Sequence, residues 1–202
     1  MARRSDHTRD ELKTLILNAA WTIIGTEGAA ALTARRVASE IGYAAGTVYN
    51  LFESMEDLIL TVNIKTLKML RESLSSPECQ NPSQTPVQNA KIMAALYMDF
   101  AQLHKPYWLL LFTHSLPESR FKDPAYQEIV EGLFIPLEQI LAPIYPADAK
   151  REIKVAARAL WAAVHGITFL QETGKLLLLD QKTTPPETVN YLIETFFAGL
   201  EA

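Results

Sequence analysis

The sequence predicts an all-α fold, and three observations carry that reading. Apolar residues recur every three or four positions along most of the 202-residue chain, the period of an amphipathic helix. Thr8 with Glu11, and Thr184 with Glu187, fit the pattern in which a hydroxyl and a carboxylate satisfy reciprocal backbone N–H groups at a helix start. No segment reads as a strand, and no internal repeat is present.

The first helix begins behind Thr8 and carries Leu12, Leu15, Ile16, Ala19, Ile23 and Ile24 on one face, with Gly25 and Gly28 placed to end it. Thr33 caps a short second helix whose inner face is Val37, Ala38 and Ile41. Gly42 supplies the left-handed residue that stops it. A third helix spans residues 44–51. Ser54 and Asp57 open a fourth, which runs to Leu74 with Leu58, Val62, Lys65 and Met69 on one stripe. The polar stretch from Ser75 to Pro86 holds three prolines and is the best candidate for a domain seam. Beyond it, a helix over 88–104 is stopped by Pro106, and a short apolar helix covers 107–113. Pro124 opens a helix to Leu141 that Pro136 should kink. An alanine-rich helix spans 149–173, and the last helix carries Val189, Leu192, Ile193, Phe196, Phe197 and Leu200 as its stripe.

Composition narrows the function. Hydrophobic residues make up 49% of the chain, enough for a substantial core. The net charge of −4 is not the bulk signature of a nucleic-acid binder. Residues 1–51 hold six basic residues against five acidic ones, so any DNA binding must come from local placement of charge. A single cysteine, Cys79, excludes an intramolecular disulfide and fits a reducing cytosol. No apolar run approaches the ~20 residues that span a bilayer, and the start MARRSDHTRDEL lacks the apolar core of a secretory signal. The expectation is a cytoplasmic protein with no membrane partner. Enzyme chemistry finds little support. His7, His104, His114 and His165 are scattered, and there is no GxSxG elbow, no phosphate-cradling glycine loop and no CxxC. No catalytic residue, metal or cofactor is expected.

The second and third helices have the spacing of a helix-turn-helix. Ala38 is small where the helices cross, Gly42 makes the turn, and Val48 and Leu51 face Val37 and Ile41. The alternative is an ordinary helical hairpin. The segments LTARRVASEIG, GTVYNLF and SMEDL resemble the TetR family of bacterial transcription regulators over residues 8–60. WAAVHG, Trp161 to Gly166, is similar to the tryptophan-histidine-glycine signature of one TetR C-terminal domain type. The resemblance implies a three-helix DNA-binding domain, 1–53, and a helical effector-binding and dimerisation domain, 54–202, with 54–74 as connecting helix. It also implies a homodimer held mainly by the last two long helices. The surplus of Ile193, Phe196, Phe197 and Leu200 on the final helix points the same way. Two positions depart from the family. Met55 replaces a phosphate-meeting lysine, and Leu51 replaces a frequent histidine.

The expected partner is double-stranded DNA. For phosphates, the candidates are Thr33 at a helix start and Tyr49, which corresponds to the family's phosphate-contacting tyrosine. Arg35 and Arg36 flank the second helix; at least one should face the duplex, and either can be a solvated surface residue. Arg3 and Arg4 form an arm for the minor groove or an untethered tail. For bases, the candidates are Tyr43, Thr47 and Asn50, while Ala44, Ala45 and Gly46 allow close approach and contact with thymine methyls. The second domain holds Tyr97, Phe100, Trp108, Phe112, Phe134, Trp161 and Phe169, each readable as core or as the wall of an effector cavity. His165 is either a ligand-facing donor or a core histidine bonded to a backbone carbonyl. The expected function is a ligand-responsive transcriptional regulator. It would be a repressor on an inverted-repeat operator, released by a small apolar or aromatic effector. A helical protein-interaction adaptor or a cryptic enzyme is the alternative.

Overall fold

The computed structural model describes residues 7–115, 123–178 and 182–200. Its regular elements are helices, and no strand occurs among the described residues. Contacts divide the chain into two compact units. The first holds residues 1–66 and 106–122, the second 67–105 and 123–202.

The first unit is built on α1 (Arg9–Glu27), α2 (Ala34–Glu40), α3 (Ala45–Tyr49), the start of α4 (Met55–Leu74) and most of α6 (Lys105–Thr113). The expected capping box opens α1: Thr8 N donates to Glu11 at 2.7 Å and Glu11 N donates to the Thr8 hydroxyl at 3.3 Å. Those bonds hold the Glu11 carboxyl below the usual carboxylate range. The α1 stripe delivers Ile16, Ile23 and Ile24 to the core with no exposure. Val37 and Ala38 of α2, Val48 of α3 and Leu58 and Val62 of α4 close around them. Each of these isoleucine, valine and leucine side chains stabilises by about 1.5–3 kcal/mol on full burial. Gly42 has φ 74°, and Tyr43 N donates to Ala38 O at 2.9 Å, so the helix-turn-helix turn is closed by a left-handed glycine as its position requires.

The remaining core of this unit comes from far along the sequence. Leu110 of α6 joins the buried cluster. Tyr107 stacks on Trp21 at 3.8 Å and 11°, and its hydroxyl donates to Trp21 O at 2.9 Å. Lys65 Nζ lies 4.1 Å from the Trp21 ring centroid on the same ring. Gly25 is therefore not a helix stop. It lies inside α1, where a Cβ would collide with the Tyr107 hydroxyl.

The second unit contains the rest of α4, then α5 (Pro86–Leu103), α7 (Pro124–Gly132), α8 (Ile135–Leu141), α9 (Lys150–Glu172) and α10 (Pro185–Leu200). α5 packs against α8, α9 and α10, and α9 packs against α8 and α10. The stretch 75–86 is no seam. It lies inside this unit, with a 3-10 turn at Pro77–Gln80 and Cys79 fully buried, which raises its thiol pKa to about 11. The division instead falls within α4, after Thr66, because Leu58 and Val62 belong to the first core. Pro136 does not kink a continuous helix either. The chain turns at Leu133 and Phe134, and Pro136 occupies the first turn of α8, where its missing N–H costs nothing. The expectation that no segment suits a bilayer also needs correction. α9 is long and apolar enough by composition to cross one. It packs on α5, α8 and α10, and its Arg158 pairs with Glu138 at 2.9 Å within the unit.

Gly25→Ala tests the α1–α6 contact. The methyl must displace the Tyr107 ring from its stack and its bond to Trp21 O. Chemical denaturation should show a loss of about 1–3 kcal/mol, although alanine is the better helix former. A neutral or stabilising effect would mean that Tyr107 yields freely.

Candidate nucleic-acid interface and effector cavity

α3 is only five residues long, and its inward side is spent on Val48. What remains outward is chemically sparse. Ala44, Gly46, Tyr49 and Asn50 are exposed, Tyr49 by 54%. Thr47 is half-buried. Ala45 is half-buried, with part of its side chain packed against the core cluster. Tyr43 is held at the edge by a 2.7 Å hydrogen bond between its hydroxyl and His7 Nδ1. Nothing in the sequence pattern pairs those two residues, which lie 36 positions apart.

The cations divide by partner. Arg36 is committed to the protein: it donates to Glu27 and to Glu40, each at 2.7 Å. These bonds raise its own pKa and lower that of Glu27. The Glu40 bond is an i,i+4 pair legible in the sequence; the Glu27 bond crosses from α1 and is not. Arg35 is exposed on the same helix. Thr33 is exposed and accepts from Arg36 N at 3.1 Å as the cap of α2. Met55 and Leu51, the two departures from the family, are partly buried against the core cluster. They exchange a polar contact for packing. Arg3 and Arg4 lie outside the described residues.

The second unit holds an apolar cavity of about 40 Å³ between α5, α8, α9 and α10. Tyr97 and Trp161 line it together with aliphatic residues such as Met93, Leu137, Leu160 and Ile193. The volume exceeds that of one water site yet falls well short of the ~300–1,000 Å³ of a drug-sized pocket. Beside it runs a ladder of rings on α9 and its neighbours. Phe134 meets Trp161 edge-on at 5.5 Å, Trp161 stacks with His165 at 5.2 Å, and Phe169 follows at 5.9 Å. The Arg158 guanidinium lies 4.6 Å from the Phe134 ring centroid. Of the two readings of His165, the core histidine bonded to a backbone carbonyl is not met. Its Nδ1 bonds the Tyr97 hydroxyl at 2.8 Å, not a backbone carbonyl. Burial lowers its pKa, which favours the neutral imidazole.

Other aromatic candidates sit elsewhere. Phe134, His165 and Phe169 adjoin the cavity wall without lining it. Phe100 is buried against His104 and does not line the cavity. Trp108 and Phe112 belong to the first unit, where they meet edge-on at 5.1 Å and Trp108 has no exposure. Among the described residues, no cluster of histidine, cysteine and carboxylates is arranged to hold a metal.

Comparison with known proteins places this geometry. Residues 16–62 match the family model described as bacterial regulatory proteins, tetR family. Residues 91–196, more than half of the chain, match the model described as tetracyclin repressor-like, C-terminal domain. An uncharacterized HTH-type transcriptional regulator of Mycobacterium tuberculosis is 28% identical over 165 residues, 82% of this chain and 72% of the relative. A protein of unknown function from Rhodococcus sp. RHA1 has the same fold, with TM-score 0.73, 20% identity and full coverage of both chains. The transcriptional regulator FadR of Bacillus subtilis, solved in complex with stearoyl-CoA, aligns with TM-score 0.59 and 18% identity over 92% of this chain and 98% of that one. With a helix-turn-helix whose outer face is open and an all-helical second unit behind it in the sequence, the chain belongs to the TetR family and is a DNA-binding transcriptional regulator, not an enzyme.

Proposed function

We propose that this regulator is a repressor that binds an inverted-repeat operator as a homodimer in the cytoplasm and leaves it when a small apolar or aromatic effector occupies the second unit. The observation that carries the reading is the outer face of α3. Ala44 and Gly46 put no bulk between helix and groove, and Tyr49 and Asn50 project from the same exposed surface. Tyr49 and Arg35 supply backbone contacts, while Asn50 and Thr47 supply base contacts. With so few polar groups, DNA shape contributes to specificity.

The apolar faces of the last helices support the two-fold reading. Val189, Ile193 and Phe197 of α10 are buried within the unit, whereas Leu192, Phe196 and Leu200 are only half-covered and Tyr191 is 73% exposed. Val155 of α9 is 60% exposed. This apolar surplus suits an obligate interface, which buries on the order of 2,000 Å² or more. The effector reading is supported by the apolar cavity beside Tyr97 and Trp161 and by the absence of any charged residue from its lining. A ligand that prefers a dimer with altered reading-head spacing would shift the population away from DNA.

Tyr49→Phe should weaken binding by about 1 kcal/mol on every operator variant, as loss of a phosphate contact does. Asn50→Ala should relax preference at one position per half-site, worth about 1–3 kcal/mol. Selection from a random duplex pool separates these outcomes. A uniform effect of Asn50→Ala would remove it from base reading.

Arg35→Ala should flatten the salt dependence of binding by close to one phosphate contact per protomer. Arg36→Ala should lower the thermal midpoint instead, because its guanidinium already serves Glu27 and Glu40. The reverse pattern would reassign the two arginines. For the dimer, light scattering at micromolar concentration should give twice the chain mass, and Phe196→Asp should give the monomer. A monomeric wild type rules the interface out.

A further inference from the structure

We infer that His7 is a DNA-contacting residue: its imidazole Nε2 donates to a backbone phosphate beside the groove that α3 enters, and Tyr43 is the residue that positions it. This rests on the reading of α3 above and deepens it.

The pair is anchored at both ends. The Thr8 amide belongs to the peptide that joins His7 to α1, and it donates to Glu11 at 2.7 Å. Tyr43 N donates to Ala38 O at 2.9 Å, so the turn holds the backbone of Tyr43. Between these anchors the Tyr43 hydroxyl and His7 Nδ1 lie 2.7 Å apart, with ring centroids separated by 6.1 Å and tilted by 57°. Tyr43 is half-buried and His7 is exposed. A bond at the surface replaces bonds to water and adds little to stability. What it does is hold the imidazole in place. Tyr43 directly precedes Ala44, the residue that caps α3. A helix whose first turn enters a major groove ~12 Å wide has a phosphate backbone on either side. Side chains gathered at that entry are within reach of it.

Hydrogen-bond chemistry assigns the nitrogen that meets the phosphate. A phenol O–H donates to the unprotonated nitrogen of a neutral imidazole, so with Nδ1 accepting from Tyr43 the ring proton sits on Nε2. In the protonated ring both nitrogens carry N–H, and Nδ1 donates to the phenol oxygen. In either charge state Nε2 presents an N–H, and it has no hydrogen-bond partner among the described residues. Glu11, one turn into α1, accepts from the Thr8 amide and hydroxyl at 2.7 and 2.8 Å rather than from the imidazole. A phosphate oxygen carries charge and only accepts, so it suits this N–H. The reading head also has few cations to spare for the backbone. Arg36 serves Glu27 and Glu40, Lys13 lies 5.6 Å from the centroid of the Phe52 ring, and Met55 carries no charge.

Fluorescence anisotropy on the full-length protein tests this, with an operator selected from a random duplex pool. Its phosphates are replaced one at a time by methylphosphonate, which removes the charge. The wild type should lose about tenfold in affinity at the phosphate that meets His7, the worth of one hydrogen bond to a charged group. His7→Ala should lose about as much on the unmodified operator and nothing further when that phosphate is neutralised. Tyr43→Phe keeps the ring and removes the bond to Nδ1. It should bind several-fold more weakly and respond less to the same methylphosphonate. Both variants should keep the wild-type thermal midpoint. Wild-type affinity in His7→Ala would overturn the proposal, as would a His7→Ala variant that still senses every phosphate the wild type senses. A Tyr43→Phe variant with wild-type affinity and wild-type phosphate sensitivity would overturn the positioning role. Tyr49→Phe and Asn50→Ala separate the two readings. If they weaken binding and His7→Ala does not, this inference alone falls; if none of the three weakens it, the reading of α3 falls as well.

Discussion

The close crossing of α2 and α3 is the constraint on which the reading head depends. Two helices joined by a turn this short must nearly touch, so the contact point needs a small residue and the turn needs a positive φ. Ala38, 2% exposed, meets the first demand, and Gly42 at φ 74° meets the second. Val48 then inserts with no exposure against a core led by Ile16, Ile23 and Ile24. Once the inward side of α3 is fixed in this way, its outward side is fixed too. A five-residue helix has no rotational freedom left to choose which residues it presents. Tyr49 and Asn50 are outward because Val48 is inward.

The first unit is stiffened by a helix from much later in the chain. Tyr107 lies against Trp21 and over Gly25, and Leu110 enters the buried cluster. Lys65 covers Trp21 as well, so one indole gathers side chains from α4 and α6. These contacts join three helices through dispersion, a cation over a ring and a hydrogen bond to a backbone carbonyl. A unit of few short helices gains stability from such additions, since its own apolar area is limited.

Local signals in the sequence were sufficient for the helix-turn-helix. Thr8, Thr33 and Gly42 act through neighbours within a turn of themselves, and they act here as their chemistry dictates. Long-range pairings were not legible. Gly25 looks like a stop until Tyr107 is seen to need its space, and Arg36 looks like a DNA cation until Glu27 closes on it. The polar, proline-bearing stretch 75–86 looks like a linker because composition cannot show that Cys79 is buried under it. Among the aromatics, helical spacing alone could not separate Trp108, packed in the first unit, from Trp161, on the cavity wall. Both sit on apolar helices, and only the path of the chain distinguishes them. Met55 shows how a departure from a family pattern finds its reason in packing, since its side chain completes the core where the family carries a charge.

The central claim is that the outer face of α3 enters the DNA groove, and Gly46 offers the most direct measurement. Nothing lies within 4 Å of the position that a Cβ on Gly46 would occupy, so a side chain there starts into open space and replaces a glycine by a better helix former. Gly46→Leu should therefore fold with undiminished thermal stability. On duplex DNA it should lose at least tenfold in affinity, about 1.4 kcal/mol or more, because the leucine holds the helix away from the base edges. A variant that keeps both its stability and its full DNA affinity would show that this face of α3 does not meet the duplex.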